Sequence, residues 1–270
     1  MNAPERIAIA IRASSLSELF DCPARWSAKH IEGKHLPSSG AAQLGTAVHA
    51  GTAAFDSSRL PGGSPITADD AAGLVVDAIY KPEHEVDWED DKPQDAERIA
   101  LALHSKYCFE IAPTQIYAGV EIECDRLELS DLGIALTGTT DRVRKTESGF
   151  GIADLKTGKT AVSADGTVKT AGHAFQLGVY ELLAQASSGI QITEPAQIIG
   201  LNTGKTPAAQ RAGIGLVSGA REVLLGDGER PGVLEHAARL IHSGDFYGNP
   251  RSQLCGARYC PAFSTCAFRK

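Results

Sequence analysis

No stretch of the 270-residue sequence approaches the roughly 18 consecutive apolar residues that a membrane-spanning helix needs. Ile7 to Ile11 is also too short for the apolar core of a signal peptide. The chain is therefore expected to be intracellular, in the cytoplasm. Internal repeats and low-complexity linkers are absent, which leaves one domain over residues 1–270 as the simplest partition. There is no excess of positive charge either, since 26 Lys and Arg stand against 33 Asp and Glu for a net charge of −7. The acidity is local, however. Asp69 to Arg98 carries −8 and the remainder +1, while the last twenty residues hold Arg251, Arg258, Arg269 and Lys270 with no acid. Global charge is thus a weak argument against a polyanionic partner, because binding follows local potential.

Hydrophobic residues make up 43% of the chain and charged residues 22%, enough to bury a sizeable core without disulfides. In a reducing compartment the six cysteines therefore point to metal binding, reactive chemistry or plain burial.

Along the chain, Ser14 to His30 reads as helix, with Ser15 and Glu18 at capping-box spacing and a break at Cys22-Pro23. A helix through Leu44, Val48 and Phe55 follows and carries His49 near its apolar side. Helices are predicted over Thr67–Tyr80 and Pro93–Ile111, on either side of the acidic loop Asp87–Asp91. The period then changes to two, and strands are predicted over Ile116–Leu129, Ile134–Lys145 and Gly149–Lys156. A helix at His173–Ala186, strands at Gln197–Asn202 and Arg211–Val217, and broken helix over Ala220–His242 complete an α/β pattern. Within it, residues 60–113 read as a helical insertion, 114–217 as the sheet core and 250–270 as a separate tail.

Three ionisable residues fall on strands: Asp141, Asp154 and Lys156. Side chains two apart on a strand share a face, so Asp154 and Lys156 project together while Ala153 and Leu155 face the other way. If the Asp141 strand pairs with this one through the Glu147–Gly149 turn, two carboxylates and an ammonium converge. Hard oxygen ligands of this kind suit Mg2+ or Mn2+. Such a cation would polarise a scissile phosphate, and Lys156 would position water or offset transition-state charge. On spacing alone, an ordinary surface ion pair between Asp154 and Lys156, with Asp141 elsewhere, is the better explanation of the triplet.

The wider order of motifs resembles the PD-(D/E)XK nuclease superfamily, in its RecB-like branch, which includes CRISPR-associated RecB-like exonucleases. The matching pieces are Ser15-Leu16-Ser17 with Cys22-Pro23, Leu44 to His49, Gly138 to Val143, Asp154 to Gly158, and Gln176 to Tyr180, in that order. The resemblance implies a restriction-endonuclease-like core, a mixed central sheet flanked by helices. It also implies His49, Asp141, Asp154 and the Leu155 carbonyl as metal ligands, Lys156 acting on the attacking water, and Gln176 with Tyr180 lining the cleft. An acidic position before the Asp141 strand is matched by Glu121, with Glu123 on the same parity. The implied activity is a metal-dependent deoxyribonuclease, specifically a single-strand exonuclease in phage or bacterial recombination, repair or defence, working in the cytoplasm of a bacterial or phage-infected cell. A double-strand-end exonuclease and a non-catalytic DNA-binding subunit are the alternatives. DNA is the expected partner, contacted by Arg25, Lys159 and Arg258, with a recombination or defence protein as a further one.

Cys255, Cys260 and Cys266 have the spacing C-x4-C-x5-C near the end of the chain. In RecB-like proteins an early cysteine joins three late ones, which implies a [4Fe–4S] cluster on Cys22, Cys255, Cys260 and Cys266. The x4 spacing departs from the two residues common in such nucleases, so a four-cysteine Zn2+ site is the rival. Cys108 and Cys124 read as buried small apolar residues.

Overall fold

A computed structural model describes residues 8–88 and 91–269; Met1–Ile7, Glu89 and Asp90 of the acidic loop, and Lys270 of the basic tail lie outside the described residues. The chain enters the fold on a four-residue strand, Ile9–Arg12 (β1). Helices Leu16–Asp21 (α1) and Pro23–His30 (α2) follow, separated at Cys22 by extended backbone (φ −152°, ψ 92°). Pro23 sits at the first position of α2, where a missing N–H costs nothing. The expected capping box at Ser15 and Glu18 is absent. The Ser15 hydroxyl instead donates to Arg12 O and accepts the Trp26 indole N–H, while Glu18 pairs with Arg25 and Lys29.

Two-residue strands Ser38–Ser39 (β2) and Val86–Asp87 (β3) pair in parallel and tie the loops around Gly40–Ser58 (α3). Ala68–Tyr80 (α4) begins with a capping box from Thr67 and Asp70. Pro93–Lys106 (α5) runs into a π-turn at Tyr107–Ile111. The three long strands Tyr117–Leu129 (β4), Ile134–Lys145 (β5) and Phe150–Gly158 (β6) follow, close to their predicted bounds. Ala174–Ser188 (α6) then crosses over to Ala196–Asn202 (β7), which pairs with Ala212–Val217 (β8); Ala220–Leu225 (α7) and Val233–Ser243 (α8) lead to the tail. Among the described residues no helix is long and apolar enough to cross a membrane.

The six-stranded sheet runs β1-β5-β6-β7-β8, with β4 also on β5. β4 lies antiparallel along nearly the whole of β5 and so occupies one edge of it. The opposite edge is shared. β1 pairs in parallel with Ile134–Thr137, and β6 pairs antiparallel with Arg142–Lys145. Beyond the Arg142/Ala153 pair β6 leaves β5 and pairs with β7, so Gly138–Asp141 faces a fork between strands. The sheet therefore extends outside residues 114–217, because β1 joins it from the N-terminal side. Four residues are too few to show alternation, and β1 was not predicted.

Helices cover both faces. On one, α1, α6, α7 and α8 bury Leu136, Ile152, Leu177 and Ile198. On the other, α3, α4 and α5 bury Val48, Leu103, Ala153 and Leu155. Leu155 is fully buried, a contribution of about 1.5–3 kcal/mol. Residues 60–113 thus supply α4 and α5, two of the three helices of that second layer.

Candidate active site

The fork brings together side chains from four elements. On β6 the parity reading holds: Asp154 and Lys156 share a face, with Lys156 Nζ 2.6 Å from Asp154 Oδ2, and Leu155 points into the opposite core. Asp154 is almost wholly buried, and its Oδ1 has no hydrogen-bond partner. On β5, Asp141 stands where the ladder ends and its carboxylate accepts the Leu155 backbone N–H at 2.9 Å, replacing the strand partner that the fork removes. On α3, His49 reaches the same point: its Nε2 lies 3.0 Å from Leu155 O and its Nδ1 3.6 Å from Asp141 Oδ2. With Nε2–H donating to the carbonyl, Nδ1 is the nitrogen left to bind a cation. Leu155 O, expected as a metal ligand, thus lies beside the imidazole at the same point. Gly45 brings α3 this close to β6, since a Cβ there would lie 2.7 Å from Thr157 Oγ1.

The fourth element is β4. Val120 pairs with Arg142 and Ile122 with Thr140, which sets Glu121 opposite Asp141. Glu121 has φ 47°, the one non-glycine residue with left-handed backbone among those described. That conformation costs about 1–3 kcal/mol and is characteristic of functional sites. It places a Glu121 oxygen, a His49 nitrogen and an Asp141 oxygen within 4.8 Å of one another. Shared parity left Glu121 and Glu123 indistinguishable in the sequence; the backbone turn distinguishes them.

Crowding acid groups in a partly dry cleft disfavours their ionisation. Burial first, then the Asp141 charge, pushes both Asp154 and Glu121 up to about 7, with Lys156 opposing the shift at Asp154. Burial also pushes His49 below its ordinary value, against the pull of Asp141. Crowded carboxylates, a neutral imidazole and a buried unpartnered oxygen form a donor set that fits a hard divalent cation. His49, Glu121, Asp141 and Asp154 would hold it.

The other side of the cleft is α6. Gln176 Nε2 donates to the Tyr180 hydroxyl at 2.8 Å, and Tyr180, nearly buried, is pushed up by burial and then by Asp141 and Asp154. His173, at the start of α6, was not singled out in the sequence. Burial, then Lys156 and Lys169, push it down to about 4, so it remains neutral beside Lys156 near pH 7.

The predicted DNA contacts separate. Arg25 is buried, its guanidinium bound to Glu18 at 2.7 Å, Asp21 at 2.9 Å and Ser252 Oγ at 3.1 Å. It locks the tail onto α1 and α2 and is not presented to a phosphate, which corrects the expectation. Lys159 lines a groove of about 520 Å³ with Lys205, Thr157 and the first turn of α3. Asp91 and Asp95 line the same groove, so this part of the acidic segment lies beside Lys159. Arg258 lines a separate groove with Lys29, His35 and Tyr259.

Among the cysteines, Cys108 and Cys124 are buried as expected. Cys22 caps α2 and accepts the Asn249 N–H at 3.4 Å, which docks the tail beside it. Burial pushes Cys260 up, and the neighbouring Cys22 and Cys266 act in the same direction. Gly248 makes room for Cys266, whose Sγ would lie 3.1 Å from a Cβ there. No three of these sulfurs lie within 4.8 Å of one another.

The PD-(D/E)XK nuclease superfamily model matches residues 11–267. A solved structure described as "Crystal structure of SSO0001" aligns with all of this chain and 89% of that chain, at 13% identity and a TM-score of 0.44. No curated protein matches.

Proposed function

The chain belongs to the PD-(D/E)XK nuclease superfamily and is a metal-dependent nuclease, and from that premise we propose that it is a RecB-like DNA exonuclease acting on a free single-stranded end. The observation that carries the reading is the fork, where His49, Glu121 and Asp141 come within 4.8 Å of one another and the Asp154–Lys156 pair and Tyr180 lie within electrostatic range of Asp141. Mg2+ or Mn2+ bound here would supply polarisation of the scissile phosphate and a lowered pKa for water. Lys156 orients the attacking water and offsets negative charge on the non-bridging oxygens as water adds to phosphorus and the P–O bond to the leaving group breaks. Neutral His173 leaves the Lys156 ammonium without a second cation beside it. Tyr180 and Gln176, linked to each other, align the phosphate with Lys156. Lys159, which shares its groove with Lys205, is assigned to bind the backbone of the incoming strand.

The same reading assigns a [4Fe–4S] cluster to Cys22, Cys255, Cys260 and Cys266. The docking of the tail on Cys22, with Cys260 next to Cys22 and Cys266, supports one shared site for these cysteines, and a four-cysteine Zn2+ site remains the alternative. The expected setting is bacterial or phage recombination, repair or defence, which rests on the order of motifs.

The test incubates the cluster-replete full chain with end-labelled linear single-stranded, linear double-stranded and circular single-stranded DNA, with Mn2+, Mg2+ or a chelator. Metal-dependent shortening of linear single strands, with circles intact, is expected. Cleavage of circles would make it an endonuclease, preference for duplex ends a double-strand exonuclease, and no cleavage of any substrate a binding subunit.

A further inference from the structure

Directly behind the fork lies a buried ionic cluster that the metal site does not itself use. Arg142 follows Asp141 on β5 and points to the opposite face, where it is fully buried. Its Nε donates to Asp56 Oδ2 at 2.7 Å and its Nη2 to Thr52 Oγ1 at 3.0 Å. The guanidinium also lies over the rings of Tyr107 and Tyr117, with centroid distances of 5.4 and 5.9 Å. Tyr107, on the π-turn that ends α5, donates to the same Asp56 oxygen at 2.5 Å.

The spacing of these partners carries the argument. Thr52 and Asp56 stand three and seven residues after His49 on α3, so all three share the helix face turned to the sheet. The Thr52 hydroxyl itself donates to Val48 O at 2.9 Å, in the turn that carries His49. Arg142 therefore grips α3 one and two turns beyond His49, from a residue adjacent to Asp141. Burying a guanidinium and a carboxylate stabilises little beyond an apolar pair of equal volume. Their fixed geometry does set the position of α3 relative to β5.

We propose that Arg142 is a positioning residue of the metal centre, which through Thr52 and Asp56 holds His49 in reach of Asp141 and thereby sets the affinity of the site for its cation. The inference rests on the metal-nuclease reading and extends the site to the π-turn after α5, since Tyr107 fixes the carboxylate that Arg142 grips.

The test is direct Mn2+ binding to the full chain, followed by electron paramagnetic resonance, with thermal unfolding recorded in parallel. Arg142→Lys keeps the charge but not the two-pronged grip, and Thr52→Val leaves the ion pair intact while removing the prong nearest His49. Both should bind Mn2+ about tenfold more weakly or worse, as loss of a group that orients a metal ligand does. Nuclease activity of both should recover as Mn2+ is raised, and because bound metal also stabilises a native state, unfolding recorded without metal must show the variants folded at the assay temperature. Should Arg142→Lys fail to fold, Thr52→Val decides. A folded variant whose affinity falls by less than about threefold, well short of an orienting effect, overturns the proposal. Wild-type protein that binds no Mn2+ would instead remove the metal reading itself, and this inference with it.

Discussion

The Asp141 carboxylate accepts the backbone N–H of Leu155 at 2.9 Å, so one side chain is both a candidate metal ligand and the cap of a broken strand ladder. The two roles separate by substitution. Asp141→Asn keeps an acceptor for that N–H but loses the charge. It should unfold near the wild-type temperature while turnover falls by roughly 10²–10⁴ or more, the scale of a lost catalytic group. Asp141→Ala should be equally inactive and also less stable by about 1–3 kcal/mol, because a buried donor is left without a partner. Thermal unfolding with steady-state kinetics on both variants checks the pair. Equal stability of the two would remove the capping role.

The carboxylates give the metal-free protein an unusual pH dependence. Asp154 and Glu121 titrate near 7 in the folded chain, above the 3.8 and 4.5 of free side chains. The folded state therefore holds more protons than the unfolded one between about pH 4 and 7. The stability these two groups contribute is full below that window and is lost as pH rises through 7. Bound Mn2+ must displace those protons, so its affinity should rise across the same window and its binding should release protons. Calorimetric titration in two buffers of different ionisation enthalpy measures the release. Affinity independent of pH between 6 and 8 would show that the pair is already ionised in the free protein.

Gln176 and Tyr180 are joined at 2.8 Å and flank the cleft from α6. Tyr180→Phe and Gln176→Ala should lower kcat by about tenfold or less, against orders of magnitude for Asp154→Ala and Lys156→Ala, because alignment is a smaller effect than charge at the reacting centre. Losses of equal size would make Tyr180 a participant in proton transfer.

Local signals made most of this architecture readable. Alternation and turn residues at Ser130-Asp131 and Glu147-Gly149 gave β4, β5 and β6 within a few residues, and strand parity alone put Asp154 beside Lys156. What stayed hidden depends on distant partners. Arg25 resembled an exposed helix cation because Ser252, one of its partners, lies 227 residues away. The backbone turn at Glu121 leaves no trace in composition, since the residue that adopts it is not glycine. The fork is equally invisible, because it arises from two strands sharing one edge of β5.

The acidic segment offers a test of the substrate path. Asp91 and Asp95 line the groove that holds Lys159 and Lys205, so they lie beside a cation expected to contact DNA. Repulsion between carboxylates and phosphates at this range is screened over about 10 Å at 0.1 M salt, so it acts locally and weakens with salt. Asp91→Asn with Asp95→Asn should tighten binding of single-stranded DNA several-fold at low salt. Lys159→Ala should weaken binding and reduce the slope of log affinity against log salt by about 0.7, the value for one phosphate contact on a single strand. Fluorescence anisotropy with Ca2+ in place of Mn2+ measures both without turnover. If the double variant binds DNA no more tightly and Lys159→Ala leaves the slope unchanged, the strand does not run through this groove, and the Arg258 groove becomes the path to test.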